Sequence, residues 1–166
     1  MIRPGDKVPS VAVKLVTADG VADATTDAVL GHGTVVFFGV PGAFTPTCDT
    51  SHLPGFVANA AKLKAAGVAR IVCGTVNDHH VVKAWAEHAQ ALGRVDFIAD
   101  VHALFAEALG LTRHSADLGK RFVRCAMIIT NGVVQDVFIQ DVAGVTVTGA
   151  PAVLLALEAS RATINA

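Results

Sequence analysis

The stretch VVFFGVPGAFTPTCDTSHLPGF, residues 35 to 56, decides the reading of this chain. It opens as an apolar, β-branched run, the pattern of a strand buried on both faces. Pro41, Gly42 and Pro46 then end the strand and stiffen a short loop, because proline fixes φ and removes a backbone donor. Beyond the loop, Leu53, Phe56, Val57, Ala60 and Leu63 recur at helical spacing, and Pro54 and Gly55 are expected to bend or loosen that helix near its start. Strand, rigid loop and helix follow one another, and Cys48 stands where loop becomes helix.

Working outward, ARIVCGTV (69–76) and VDFIA (95–99) repeat the short, β-branched signature with helix-like segments between, as expected of parallel strands in βαβ units. One helix, capped by Asn77 or Asp78, carries Val81, Val82, Trp85 and Ala89 on one face. Another follows Asp100 through Leu104, Phe105, Ala108 and Leu109 until Gly110 stops it. Asn131-Gly132 between two apolar runs predicts an antiparallel hairpin with a type I′ turn. Pro151 fits the first turn of a last helix whose Val153, Leu154 and Leu157 face the core, and VAVKLV (11–16) is a further, weaker strand. The expected class is α/β, with residues 1–166 as a single domain, because no repeat or linker-like tract divides them.

The composition narrows function. With 13 basic and 14 acidic side chains the formal charge is −1, which predicts neither a nucleic-acid footprint nor a basic membrane patch. No apolar run is long enough to span a bilayer, and MIRPGDKVPS does not read as a secretory signal. Three cysteines, an odd number, fit a reducing cytosol and a cytoplasmic location, so each thiol becomes a question of reactivity.

At the carboxyl end of a strand in an α/β sheet, beside a helix start, Cys48 occupies a position where active-site groups gather. The orphan N–H groups and dipole of a helix N-terminus favour a thiolate over a thiol. Thr45 can supply a hydroxyl to the same pocket, and the prolines preset the loop; a cation is still required. Taken alone, these residues fit a reactive nucleophile or a small buried apolar side chain. Asp49 suits a first helical turn but disfavours an adjacent thiolate.

The run PGAFTPTCDTSHLPGF resembles the active-site segment of the peroxiredoxins, with Pro41, Thr45 and Cys48 filling its Pro, three residues, Thr, two residues, Cys pattern. The longer form is similar to the type-5 branch, and the likeness continues through VCGTVNDHHVVKAWAEHA (72–89) and RFVRCAMIITNGVV (121–134). The resemblance implies a thioredoxin-like three-layer α/β/α sandwich with a mixed central sheet. It also implies a thiol-dependent peroxidase in which Cys48 attacks the terminal oxygen of a hydroperoxide and becomes a sulfenic acid, without metal, haem or flavin. Arg124, whose spacing to the Asn-Gly turn matches the family's arginine, would sit over Cys48, leaving Arg121 an ordinary surface charge. Pro41, Gly42, Thr45, Thr47, Cys48 and Arg124 form the implied substrate site, and His52 matches the branch's histidine as a holder of the loop.

Relatives that carry a resolving cysteine place it late in the chain, where this one reads GVTVTGAP (144–151). Cys73 is expected to be an inert strand thiol. Cys125 follows Arg124 on a strand and should face the opposite side of the sheet. A one-cysteine cycle is therefore expected, reset by glutathione with glutaredoxin or by another small thiol or thioredoxin-like protein. Phe44 is expected to pack against a partner subunit in a homodimer. The alternatives are a redox-sensing binding or holdase module built on Cys48 and, weakly for want of a Cys-x-x-Cys pair, a disulfide oxidoreductase. The remaining histidines lack metal-ligand spacing and read as solvated polar positions.

Overall fold

A computed structural model describes residues 1–165, with side chains through residue 160. Strands β1 (Ala12–Thr17), β2 (Gly20–Thr25), β3 (Thr34–Val40), β4 (Val68–Thr75), β5 (Asp96–Ala99), β8 (Cys125–Thr130) and β9 (Val133–Ile139) form one mixed sheet, ordered β2-β1-β5-β4-β3-β8-β9. The two remaining strands, β6 (Thr112–Ser115) and β7 (Gly119–Phe122), pair only with each other. As the three β-branched runs predict, β3, β4 and β5 are parallel, while β8 joins β3 antiparallel and β1 joins β5 antiparallel.

Alternation along the strands divides the core in two. Val36, Phe38 and Val40 of β3 face one side, packed with Leu53 and Phe56 of α2 (Leu53–Ala58), Leu63 of α3 (Ala60–Ala65), Trp85 of α4 (His79–His88) and Val153 of α6 (Ala150–Asn165). Val35 and Phe37 face the other, against Val29 and Leu30 of α1 (Thr26–Leu30) and Phe105 and Leu109 of α5 (Leu104–Leu109). A strand covered on both faces must be apolar at every position, and Val35 to Phe38 are wholly buried. The arrangement is the expected three-layer α/β/α sandwich.

Several local predictions are met by the expected chemistry. Asn131 and Gly132 both adopt positive φ (48° and 80°), the type I′ turn between β8 and β9. Asp78 caps α4, accepting the His80 and Val81 N–H groups. Gly110 ends α5 at φ 70°. In α5, however, Phe105, Ala106 and Leu109 are buried while Leu104 is exposed, so the apolar face is rotated from the sequence reading. The rotation follows Asp100, whose buried carboxylate accepts the Phe105 and Ala106 N–H groups and sets where the helix begins. Burial raises this carboxyl above the ordinary aspartate range against those hydrogen bonds.

The helix after Cys48 also departs from expectation. Asp49 N–H bonds Thr45 O at 2.8 Å, opening a helical turn. Cys48–His52 then forms a π-helical turn closed by Leu53 N–H on Cys48 O, and α2 begins with Pro54 in its first turn. The break comes at Asn59, between α2 and α3, and not at Pro54 and Gly55. Helical backbone runs through residues 46–58, and the wider π turn directly before Pro54 accommodates a residue with no N–H to donate. The edge strand β2 and the β6–β7 hairpin were not predicted, being short and largely exposed; the available turn signal was Asp19-Gly20, with Ala18 and Asp19 in the turn and Gly20 opening β2.

Candidate active site

The loop after β3 is clamped from beneath. Asn77 Oδ1 accepts the Ala43 N–H at 2.9 Å and the hydroxyl of buried Thr75 at 2.6 Å, tying the loop to the end of β4. Arg121 is not the surface charge expected of it: its Nη1 donates to Val76 O at 2.9 Å and to Pro41 O at 3.5 Å, and its Nε donates to Leu118 O. The guanidinium thus joins the carboxyl ends of two parallel strands to the β6–β7 hairpin. Sequence spacing could not reveal this, because Pro41 lies 80 residues away.

Within the clamped loop, Thr45 Oγ1 donates to Gly42 O at 2.7 Å, and a Cβ on Gly42 would lie 3.0 Å from Thr45 Cγ2, so the turn is filled. With its proton committed to that carbonyl, the Thr45 hydroxyl retains lone pairs as acceptors. Thr47 is half-buried directly before Cys48. Phe44 is 46% exposed, near the rings of Trp85 and His88, and adopts φ 63°. This left-handed conformation is strained for a bulky side chain and characteristic of functional loops.

Cys48 lies in the first helical turn and is fully buried. Arg124, on the residue before β8, reaches across the sheet end and donates from Nη2 to Cys48 Sγ at 3.1 Å. Its other terminal nitrogen, Nη1, donates to His52 Nδ1 at 2.9 Å. A guanidinium has no acceptor, so Nδ1 carries the lone pair, and Nε2–H donates to Thr148 O at 2.8 Å. His52 is consequently the neutral Nε2–H tautomer, packed against Phe38 and Phe56. Burial and, less strongly, the neighbouring arginine charge lower its pKa from 6.5 to about 4. Asp49, whose charge threatened the thiolate, has one carboxylate oxygen engaged by the Trp85 indole N–H at 2.9 Å.

The other thiols lie elsewhere. Cys125 packs in the core on the opposite sheet face, as the strand period predicts, and burial pushes it up to about 12. Cys73 sits on β4 in the same core as Cys48, and desolvation pushes it well above the ordinary thiol range. The structure thus brings together Cys48 and Arg124, with Thr45 and Gly42 in the loop leading to them. Sequence reasoning missed Asn77, which it weighed only as a helix cap, and the part played by Thr148. The first had a signal in its place between strand and cap; the second had none.

The redoxin family profile matches residues 3–154. The chain is 36% identical to Peroxiredoxin-2D of Arabidopsis thaliana over 159 residues, covering 94% of this chain and 98% of that protein. It is 40% identical to the hybrid peroxiredoxin hyPrx5 of Haemophilus influenzae over 138 residues, covering 82% of this chain and 57% of that one. The crystal structure of reduced Prx3 from Vibrio vulnificus in complex with hydrogen peroxide superimposes with a TM-score of 0.89 at 39% identity, over 95% of this chain and 99% of that one. A family match along nearly the whole length, joined to a buried cysteine held by a guanidinium at a thioredoxin-like sheet end, has one reading: the chain belongs to the redoxin family, as a thiol-dependent peroxidase of the peroxiredoxin type-5 branch.

Proposed function

We propose that Cys48 is the peroxidatic nucleophile and that Arg124 and Thr45 complete the catalytic set. The observation that carries this reading is the 3.1 Å contact from Arg124 Nη2 to Cys48 Sγ. A permanently charged donor on sulfur favours the anion, which is the attacking species. In the reaction, the thiolate attacks the terminal oxygen of ROOH, the S–O bond forms as O–O breaks, and RO⁻ leaves to be protonated to water or alcohol. Charge moves from sulfur to the departing oxygen, and a guanidinium with several N–H groups can follow it. Thr45 accepts the hydroperoxide O–H through its free lone pairs, while Pro41, Gly42 and Thr47 shape the wall. Because Cys48 is buried, a compact –OOH head is the part of any substrate that enters.

The product is a Cys48 sulfenic acid. An external thiol attacks it, expelling water and forming a mixed disulfide, and a second thiol then releases Cys48. Glutathione with glutaredoxin, or a thioredoxin-like protein, fits this role. Support comes from the internal alternatives: Cys125 is on the wrong face, Cys73 is a buried thiol held protonated, and residues 140–149 contain no cysteine. The exposed, strained Phe44 supports a homodimer that covers it, and the free thiols support a cytoplasmic setting.

Intact-mass analysis after stoichiometric hydrogen peroxide, with and without glutathione, tests the cycle. A single oxygen added to Cys48, replaced by a glutathione adduct when the thiol is present, is expected. A disulfide between Cys48 and Cys73 or Cys125 would overturn the one-cysteine scheme.

A further inference from the structure

The hydrogen bonds around Arg124 close on themselves. Arg124 Nη1 donates to His52 Nδ1 and His52 Nε2–H to Thr148 O. Thr148 Oγ1 then donates to Gln140 Oε1 at 2.9 Å, and the Gln140 backbone N–H returns to Arg124 O at 3.0 Å. Gln140 also gathers the loop it begins, with Nε2 on Thr146 Oγ1 at 2.7 Å and Oε1 accepting Thr146 N–H at 3.0 Å. We infer that Gln140 and His52 are positioning residues for the peroxidase reaction: Gln140 holds the Thr148 carbonyl, which selects the His52 tautomer whose Nδ1 lone pair aims the Arg124 guanidinium at Cys48.

The physical logic lies in the tautomer. An imidazole presents either a donor or an acceptor at Nδ1, and a donor there would face the guanidinium N–H. The Thr148 carbonyl demands the proton on Nε2, leaving Nδ1 as an acceptor. Thr148 and His52 are both buried, so water does not readily replace a lost partner. The Gln140 side chain reaches the Arg124 guanidinium only through Thr148 and His52.

The test uses single-turnover oxidation of Cys48 by hydrogen peroxide, followed by fluorescence of Trp85, whose indole is bonded to the residue beside Cys48. Asparagine places an amide oxygen near the Nδ1 position, whereas glutamine places its amide near Nε2. His52→Asn should therefore keep the rate constant within about threefold of wild type, and His52→Gln, leaving the guanidinium one acceptor short, should lower it roughly tenfold or more. An amide has no tautomer to select, so Gln140→Ala should slow the wild-type background about fivefold but leave the His52→Asn background unchanged within about twofold. If His52→Gln is no slower than His52→Asn, or if Gln140→Ala slows both backgrounds equally, the inference is overturned. Thermal melts of each variant separate these effects from folding. The inference rests on the peroxidase reading, and the two fail differently: wild-type protein that leaves Cys48 unoxidised would sink that reading itself.

Discussion

Cys48 and Cys125 are both completely buried, a strand apart at the same end of one sheet, yet they occupy opposite chemical worlds. Cys125 pairs with Gly39 in the β3–β8 ladder, and its sulfur fills the space where a Gly39 Cβ would lie 2.8 Å away. Desolvation keeps its proton on, and it behaves as a small hydrophobe. Cys48 has a guanidinium donor at 3.1 Å, in the first turn of a helix. Burial is therefore common to the two thiols, and the partners of the two sulfurs are what differ. Cys48 has a guanidinium, carried by the residue adjacent to Cys125 and pointed to the other face, and it sits in a helical turn where Cys125 sits in a strand.

The sharpest way to break this contrast is to remove each sulfur. Cys48→Ser should abolish hydroperoxide consumption, while a Cys73→Ser/Cys125→Ser variant should retain turnover with an external thiol; loss of turnover in the second would place the chemistry elsewhere. Next in size is the cation. Arg124→Ala should lower the rate of peroxide reduction by about 10²–10³, the usual loss for a transition-state donor. Arg124→Lys should recover only part of this, because one ammonium does not reproduce the planar fork that serves both Cys48 and His52. Stopped-flow oxidation of the three proteins checks the order.

Acid offers a third handle. The unfolded chain protonates His52 near pH 6.5, whereas the folded chain holds it neutral until about 4. Between those values the unfolded state binds more protons, so this group's contribution lowers stability as pH falls from 6.5 to 4 and is constant below. The loss is on the order of 3 kcal/mol. Denaturant titrations should show wild type losing more stability than His52→Asn as pH falls across this window. The smallest effect belongs to the silent face: Cys125→Ala should cost about 1 kcal/mol from the removed sulfur and leave the oxidation rate unchanged, as melting and stopped-flow traces would show.

The helix that follows Cys48 illustrates why legibility in the sequence was uneven. Its apolar face was readable from Leu53, Phe56 and Leu63, because periodicity records which side is buried. The π-helical turn was not readable, since it adds one residue to a turn without changing composition. Asn77 and Arg121 were misjudged for a related reason. Each acts through backbone groups, Ala43 N–H in one case and the Pro41 and Val76 carbonyls in the other, and backbone groups carry no sequence signature.

By itself the sequence determined the layered α/β architecture, the parallel order of its three apolar strands, the I′ hairpin and the placement of Cys48 at a strand end. These depend on side-chain periodicity and turn chemistry, which are local. Only the tertiary structure decided which cation meets which sulfur, which tautomer His52 adopts and how residues 140–148 close around Arg124. The contacts of Arg124 with Cys48 and His52, and of His52 with Thr148, join residues 72 to 96 positions apart in the chain, and their geometry exists only once the sheet has brought β3 and β8 side by side.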